Sequence, residues 1–145
     1  LPGDNFVAHT VSGKQISPII CYEIINDGLV REGALNTGAF IVQTNSATFA
    51  NTAESAQQLA ITRIRAIEHS REILSVSTVG ISAFIDNNGV VKAQTAENVS
   101  TSLSGELGIS SHRTWSDRLG GVAPLLTLLF SLFFAARRSS RKFAP

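Results

Sequence analysis

The 145-residue sequence predicts an α/β domain followed by one C-terminal transmembrane helix. Three observations carry that class. Compact apolar runs at 15–23 and 39–45 read as parallel strands and alternate with helical stretches. From Asn51 onward, Ala56, Ala60, Ile64 and Ile67 recur every three or four positions, the spacing of one helix face. Residues 119–136, LGGVAPLLTLLFSLFFAA, then give eighteen positions without a charge, about the minimum for a hydrocarbon core of roughly 30 Å.

The elements follow in order. Residues 5–11 and 15–23 read as two β segments, with Gly13 between them where a turn tolerates positive φ. After Glu23 the β character fades, and NDGLVREGALNTG predicts a short helix with Asn26 or Asp27 near its cap and Gly38 past its end. Cys21 therefore falls at a strand-to-helix junction, and the strand at 39–45 points its C-terminal end to the same rim.

The next helix is predicted from Asn51, with Glu54 completing a capping box, to about Glu72. Its Arg63, Arg65, Glu68, Arg71 and Glu72 read mostly as a solvated face. ILSVST and VGISAFID read as strands, and Asn88-Gly89 suits the two left-handed positions of a type I′ turn. A further strand is expected near 100–107.

A buried core helix competes with the membrane reading of 119–136. Gly120, Gly121 and Pro124 would weaken its first turns in water, and the flank favours the membrane. Arg137, Arg138, Arg141 and Lys142 place four of the twelve basic residues within six positions, as expected on a cytoplasmic side. Residues before Leu119 would then lie outside the cytoplasm. Without that cluster, eight bases face eleven acids, so no basic patch suggests nucleic-acid binding. The chain opens on LPGDNF with neither initiator methionine nor export signal, and reads as the C-terminal part of a longer protein.

Cys21 is the only cysteine, which rules out an intrachain disulfide framework. A lone cysteine is commonly a small buried hydrophobe. Its place at the carboxyl end of a strand, where helix starts offer N–H donors, suits thiolate chemistry instead. Glu23 could act as a base, but its reach depends on whether the strand continues. His9, His69 and His112 sit in no protease-like motif; His69 reads as a surface residue, and the three give no metal-ligand spacing.

ICYEI, TNSATF and RIRAIEHSREILSVSTVGISAFIDNNGVV, in that order, resemble the second half of a carbon-nitrogen hydrolase (nitrilase-superfamily) domain, and with the tail added they are similar to the apolipoprotein N-acyltransferase branch. The resemblance spans essentially the whole chain. It implies an α-β-β-α sandwich, of which this chain supplies the second half over residues 1–112. A linker at 113–118, the transmembrane helix at 119–136 and a basic cytoplasmic tail at 137–145 would follow.

The resemblance also implies that Cys21 is the nucleophile and that Tyr22 and Glu23 support it. The family's triad glutamate and lysine are expected before Leu1, so Lys14 and Glu54 are not candidates for those roles. The implied reaction moves an acyl chain from a membrane phospholipid to the α-amine of a diacylglyceryl-cysteine apolipoprotein through a cysteine thioester, at the extracytoplasmic side of a bacterial inner membrane. No cofactor or metal is implied. A membrane-anchored amidase or nitrilase and a non-catalytic anchored domain are the alternatives. Ser46 and Thr48 depart from an Asn-Asp-Ala-Trp-Phe-like stretch carried by many members.

Overall fold

The computed structural model describes residues 6–140. The start of the first predicted strand at Asn5, and the bases Arg141 and Lys142, lie outside them. Six strands form one mixed sheet in sequence order: β1 (His9–Val11), β2 (Lys14–Ile20), β3 (Ala39–Thr44), β4 (Glu72–Ser77), β5 (Ala83–Ile85) and β6 (Val91–Gln94). β2, β3 and β4 are parallel, and the outer pairs are antiparallel. The helices are α1 (Asp27–Asn36), α2 (Glu54–His69), α3 (Trp115–Leu119) and α4 (Val122–Ser140).

Register assigns the two faces. Ser17, Phe40 and Ile73 pair across the parallel strands, as do Ile19, Val42 and Ser75. These residues point to one face, where α1 and α2 lie. Gly33 of α1 sits so close that a Cβ there would stand 2.6 Å from Ser17 Oγ and 3.1 Å from the Phe40 ring. His69 of α2 meets the same ring edge-on, with centroids 6.2 Å apart. Ile19, Phe40, Val42, Ile73 and Ile85 are fully buried there, and each such burial stabilises by about 1.5–3 kcal/mol.

The opposite face is only partly covered. Near the N-terminal ends of β2–β4, the 103–112 segment crosses it: Gly108 N–H donates to Glu72 Oε2 (2.6 Å), and Ser110 N–H to the Gly38 carbonyl (2.9 Å). Toward the C-terminal ends, Pro18, Ile41 and Leu74 are half-buried, while Ile20 and Val76 are exposed.

Several expectations change. The strand expected near 100–107 has no ladder among the described residues; Gly105 there lies against the Phe84 ring. The hairpin at Asp86–Val90 forms, but not as type I′. Gly89 N–H closes onto the Asp86 carbonyl, and Gly89 has φ +74 while Asn88 stays at negative φ. Helix α2 begins at Glu54 without the Asn51 capping box and ends at His69, where Ser70 adopts φ +50 and Glu72 already belongs to β4.

The apolar run is also divided. α3 ends at Leu119, Gly120 turns the chain, and α4 begins only at Val122. That leaves fifteen uncharged residues before Arg137, and no helix among the described residues is long and apolar enough to cross a membrane. Nor is α4 a core helix: Leu125, Leu126, Leu129, Phe130, Phe133 and Phe134 are all exposed.

Candidate active site

β2 stops at Ile20, three residues earlier than predicted, because the chain bends sharply at Cys21. Cys21 has φ +50, a left-handed conformation that a residue with a Cβ adopts at a cost of about 1–3 kcal/mol. A 3-10 turn, Cys21–Ile25, follows directly, and its last N–H bond, from Asn26 to the Glu23 carbonyl, is 2.9 Å. Asn26 then caps α1 by accepting the Leu29 amide at 3.1 Å, as the sequence predicts.

Glu23 braces this bend. Its Oε2 accepts the Ile20 amide at 2.7 Å, reaching back over the cysteine. The carboxylate is therefore tied to the backbone on the turn. Tyr22 is 71% exposed at the rim, and Cys21 is a free, half-buried thiol.

The strand register brings the neighbouring strand ends to the same rim. Ile20 pairs with Gln43, and Gln43 with Val76. Just beyond lies a cluster of hydroxyls. Ser46 and Ser77 share a hydrogen bond of 2.9 Å, the Gly80 amide donates to Ser77 Oγ at 3.0 Å, and Gln58 donates to Thr44. Ser46 is 2% exposed and packs behind the rim. Thr48 and Phe49, by contrast, are exposed.

The described lysines are not at this rim. Lys14 opens β2, seven residues along the chain from the thiol and, at about 3.3 Å per residue of strand, roughly 23 Å away. Lys92 bonds Glu72 at 2.7 Å, at the start of β4 and so at that same far end. Glu54 opens α2, and His9 lies exposed on the edge strand β1. His112 contributes its carbonyl to Arg71 Nη1, at 2.6 Å.

Sequence reasoning missed the groups that hold the bend from behind. Arg65, expected on a solvated face, is buried and donates to the carbonyls of Ile24 (2.9 Å) and Ile25 (2.9 Å) and to Asp27 (2.5 Å) and Glu68 (2.6 Å). Burial alone would lower its pKa, but the bonds to Glu68 and Asp27 outweigh burial and raise it. Burial would likewise raise Glu68, whereas the bonds from Arg65 and Ser116 hold it below its ordinary value.

His69 is not a surface residue. It is 1% exposed, and its Nδ1 bonds Asp117 Oδ1 at 2.6 Å. Arg71, also 1% exposed, donates to the carbonyls of Ala34 (2.8 Å) and Thr37 (3.1 Å), and burial lowers its pKa. The available signal was that the Arg65, His69 and Glu68 side chains share a helical stripe with Thr62 and Ala66; only distant partners reveal that this stripe faces inward.

Residues 2–117 match the family Carbon-nitrogen hydrolase. The apolipoprotein N-acyltransferase of Pasteurella multocida is 31% identical over 139 residues, covering 93% of this chain and 27% of that protein. The apolipoprotein N-acyltransferase of Haemophilus influenzae is 34% identical over 122 residues, covering 82% and 23%. The chain thus spans about a quarter of the length of these curated relatives. Among solved structures, a mutant amidase from Nesterenkonia sp. AN1, with an acetamide moiety added covalently at its active-site cysteine, aligns with a TM-score of 0.56 at 18% identity, over 68% of this chain and 40% of that one. A CN-hydrolase superfamily protein from Xanthomonas campestris with an arsenic adduct in its active site aligns with a TM-score of 0.57 at 22% identity, over 67% and 42%. At these identities the structural likeness speaks for the fold.

Proposed function

The chain belongs to the carbon-nitrogen hydrolase family, and from that premise we propose that it carries the nucleophile of an apolipoprotein N-acyltransferase. The observation that carries this reading is the strained bend that presents Cys21 at the carboxyl end of β2, braced by Glu23 in front and Arg65 behind. The relatives' names supply the substrate class.

In the proposed reaction Cys21 Sγ, as thiolate, attacks an ester carbonyl of a phospholipid. The carbon–oxygen ester bond breaks, and the lysophospholipid leaves with a proton. The acyl group is then held as a thioester until the α-amine of a diacylglyceryl-cysteine attacks it; the carbon–sulfur bond breaks and an amide forms. Tyr22 lines the approach, and Glu23 is a positioning residue rather than the base. The base and the oxyanion-stabilising lysine are supplied by a second sheet layer. The half-exposed sheet face around Ile20, Ile41, Leu74 and Val76 supports such a layer, because exposed apolar side chains gain from being covered.

Residues 1–112 are assigned to the catalytic domain, 113–118 to the connection, 119–136 to a membrane-embedded run whose helical part is α4, and 137–145 to a basic cytoplasmic tail. The exposed apolar side chains of α4 support lipid around it, with Arg137 and Arg138 reaching for headgroups to offset its shortness. The location is a bacterial inner membrane, with the thiol on the extracytoplasmic side.

A chimera tests this. This chain replaces the matching C-terminal portion of the Pasteurella multocida relative and is supplied with labelled phospholipid and a lipopeptide. Label on the peptide amine, lost with Cys21→Ala, is the expected result. Ammonia released from simple amides without acyl transfer would instead select the amidase alternative, and undiminished transfer by Cys21→Ala would refute the assigned nucleophile.

A further inference from the structure

The end of α2 and the short α3 are joined by contacts that the nucleophile does not use. Asp117 is fully buried; its Oδ1 accepts from His69 Nδ1 (2.6 Å) and its Oδ2 from the Thr114 amide (3.0 Å). The Asp117 carbonyl accepts Arg31 Nε at 2.9 Å, and Ser116 Oγ donates to Glu68 Oε1 at 2.8 Å. A five-residue helix has no stability of its own in water, so α3 exists because α1 and α2 hold it.

One residue later the chain turns at Gly120, with φ +48 and ψ −134, a combination open to glycine. A Cβ there would stand 2.6 Å from Arg31 Nε. The same arginine therefore grips the last turn of α3 and fills the space beneath the bend. α4 leaves from this bend after Gly121 with its apolar side chains exposed.

We propose that His69 and Asp117 are positioning residues whose bond locks α3 and, through the Gly120 bend, sets the direction in which α4 leaves the domain. This deepens the reading above and rests on it: with α4 in lipid, that direction determines the tilt at which the Cys21 rim meets the bilayer. The chemistry suits a lock. A buried carboxylate bonded to an imidazole has one good geometry, and opening it strands a charge away from water.

The test uses the full chain in non-ionic detergent, with nitroxides on native Cys21 and on Leu129→Cys, and reads their distance distribution by pulsed electron paramagnetic resonance. One narrow distribution is expected. His69→Leu should broaden it at least twofold with unchanged circular dichroism, and His69→Gln, which keeps an N–H donor, should restore most of the narrowness. A His69→Leu distribution with the same mean and width would overturn the lock.

If His69→Leu unfolds the domain, two glycines inserted between Gly120 and Gly121 decide the matter with the pair intact: broadening supports the proposal, and no change overturns it. In phospholipid vesicles, oxygen and nickel-chelate accessibility of the label at position 129 tests the membrane reading separately. A water-exposed label would overturn that reading alone.

Discussion

Glu23 reaches back three residues to accept the Ile20 amide at 2.7 Å, so the carboxylate next but one to the thiol is a brace for the bend that carries it. The contact is at the surface, where one such bond contributes about 1 kcal/mol. Glu23→Ala should lower the unfolding free energy by about that amount and slow alkylation of Cys21, whereas Glu23→Gln keeps an acceptor and should retain most of both. Urea unfolding and iodoacetamide kinetics measure the two effects. Equal alkylation rates in all three proteins would show that the brace does not govern the thiol.

The positive φ of Cys21 strains the bend that carries the thiol. Glycine adopts this conformation freely, so Cys21→Gly should be more stable than Cys21→Ala by about 1 kcal/mol. A Cys21→Gly protein no more stable than Cys21→Ala in urea would remove the argument for strain at the bend.

Arg65 satisfies two backbone carbonyls and two carboxylates from a buried position. Arg65→Met leaves these acceptors without their charged donor and should cost about 3–5 kcal/mol. Lysine restores the charge but not the forked geometry, and Arg65→Lys should fall between the two. Thermal unfolding orders the series; a methionine variant as stable as the parent would place Arg65 back on the solvated face.

Asp117 carries an acid dependence. Burial by itself would raise its pKa, but the bonds from His69 and the Thr114 amide, with the charge of Arg71, outweigh burial and hold it below the ordinary aspartate value. Its folded pKa lies below the unfolded one, so its contribution to stability is complete above the ordinary value of about 4 and is lost as pH falls through the lower folded value. Glu68 acts in the same direction. Urea midpoints measured from pH 7 to pH 2.5 should fall more steeply in the parent than in Asp117→Asn. Identical slopes would assign the acid sensitivity to other groups.

Much of the scaffold was legible because its signals are local. The β2 and β3 runs, the Asn26 cap of α1 and the turn around Gly13 each depend on neighbours within a few residues, and all are present. Ser12 and Gly13 both take positive φ, as a tight hairpin requires. The placement of Cys21 at a strand-to-helix junction was legible for the same reason.

Helix α2 shows where this stops. The period announces a helix, and the apolar stripe of Ala56, Ala60, Ile64 and Ile67 invites the reading that it faces the core. Ile64 and Ile67 are in fact exposed, and the buried stripe is Ser55, Thr62, Arg65, Ala66 and His69. The groups that require these polar residues lie about forty to fifty positions away, at Ile24, Ile25, Asp27 and Asp117. A window of one helix contains none of them.

By itself, then, the sequence determined the family, the order of strands and helices as far as residue 94, and the position of the single thiol at a strand end, because hydrophobic period, caps and turn residues act over short distances along the chain. Tertiary structure alone decided which face of α2 turned inward, that the Glu23 carboxylate bonds the Ile20 amide, and that the apolar run is broken at Gly120. Each of those outcomes depends on a polar group finding its partner, or a backbone its space, across residues far apart in the chain.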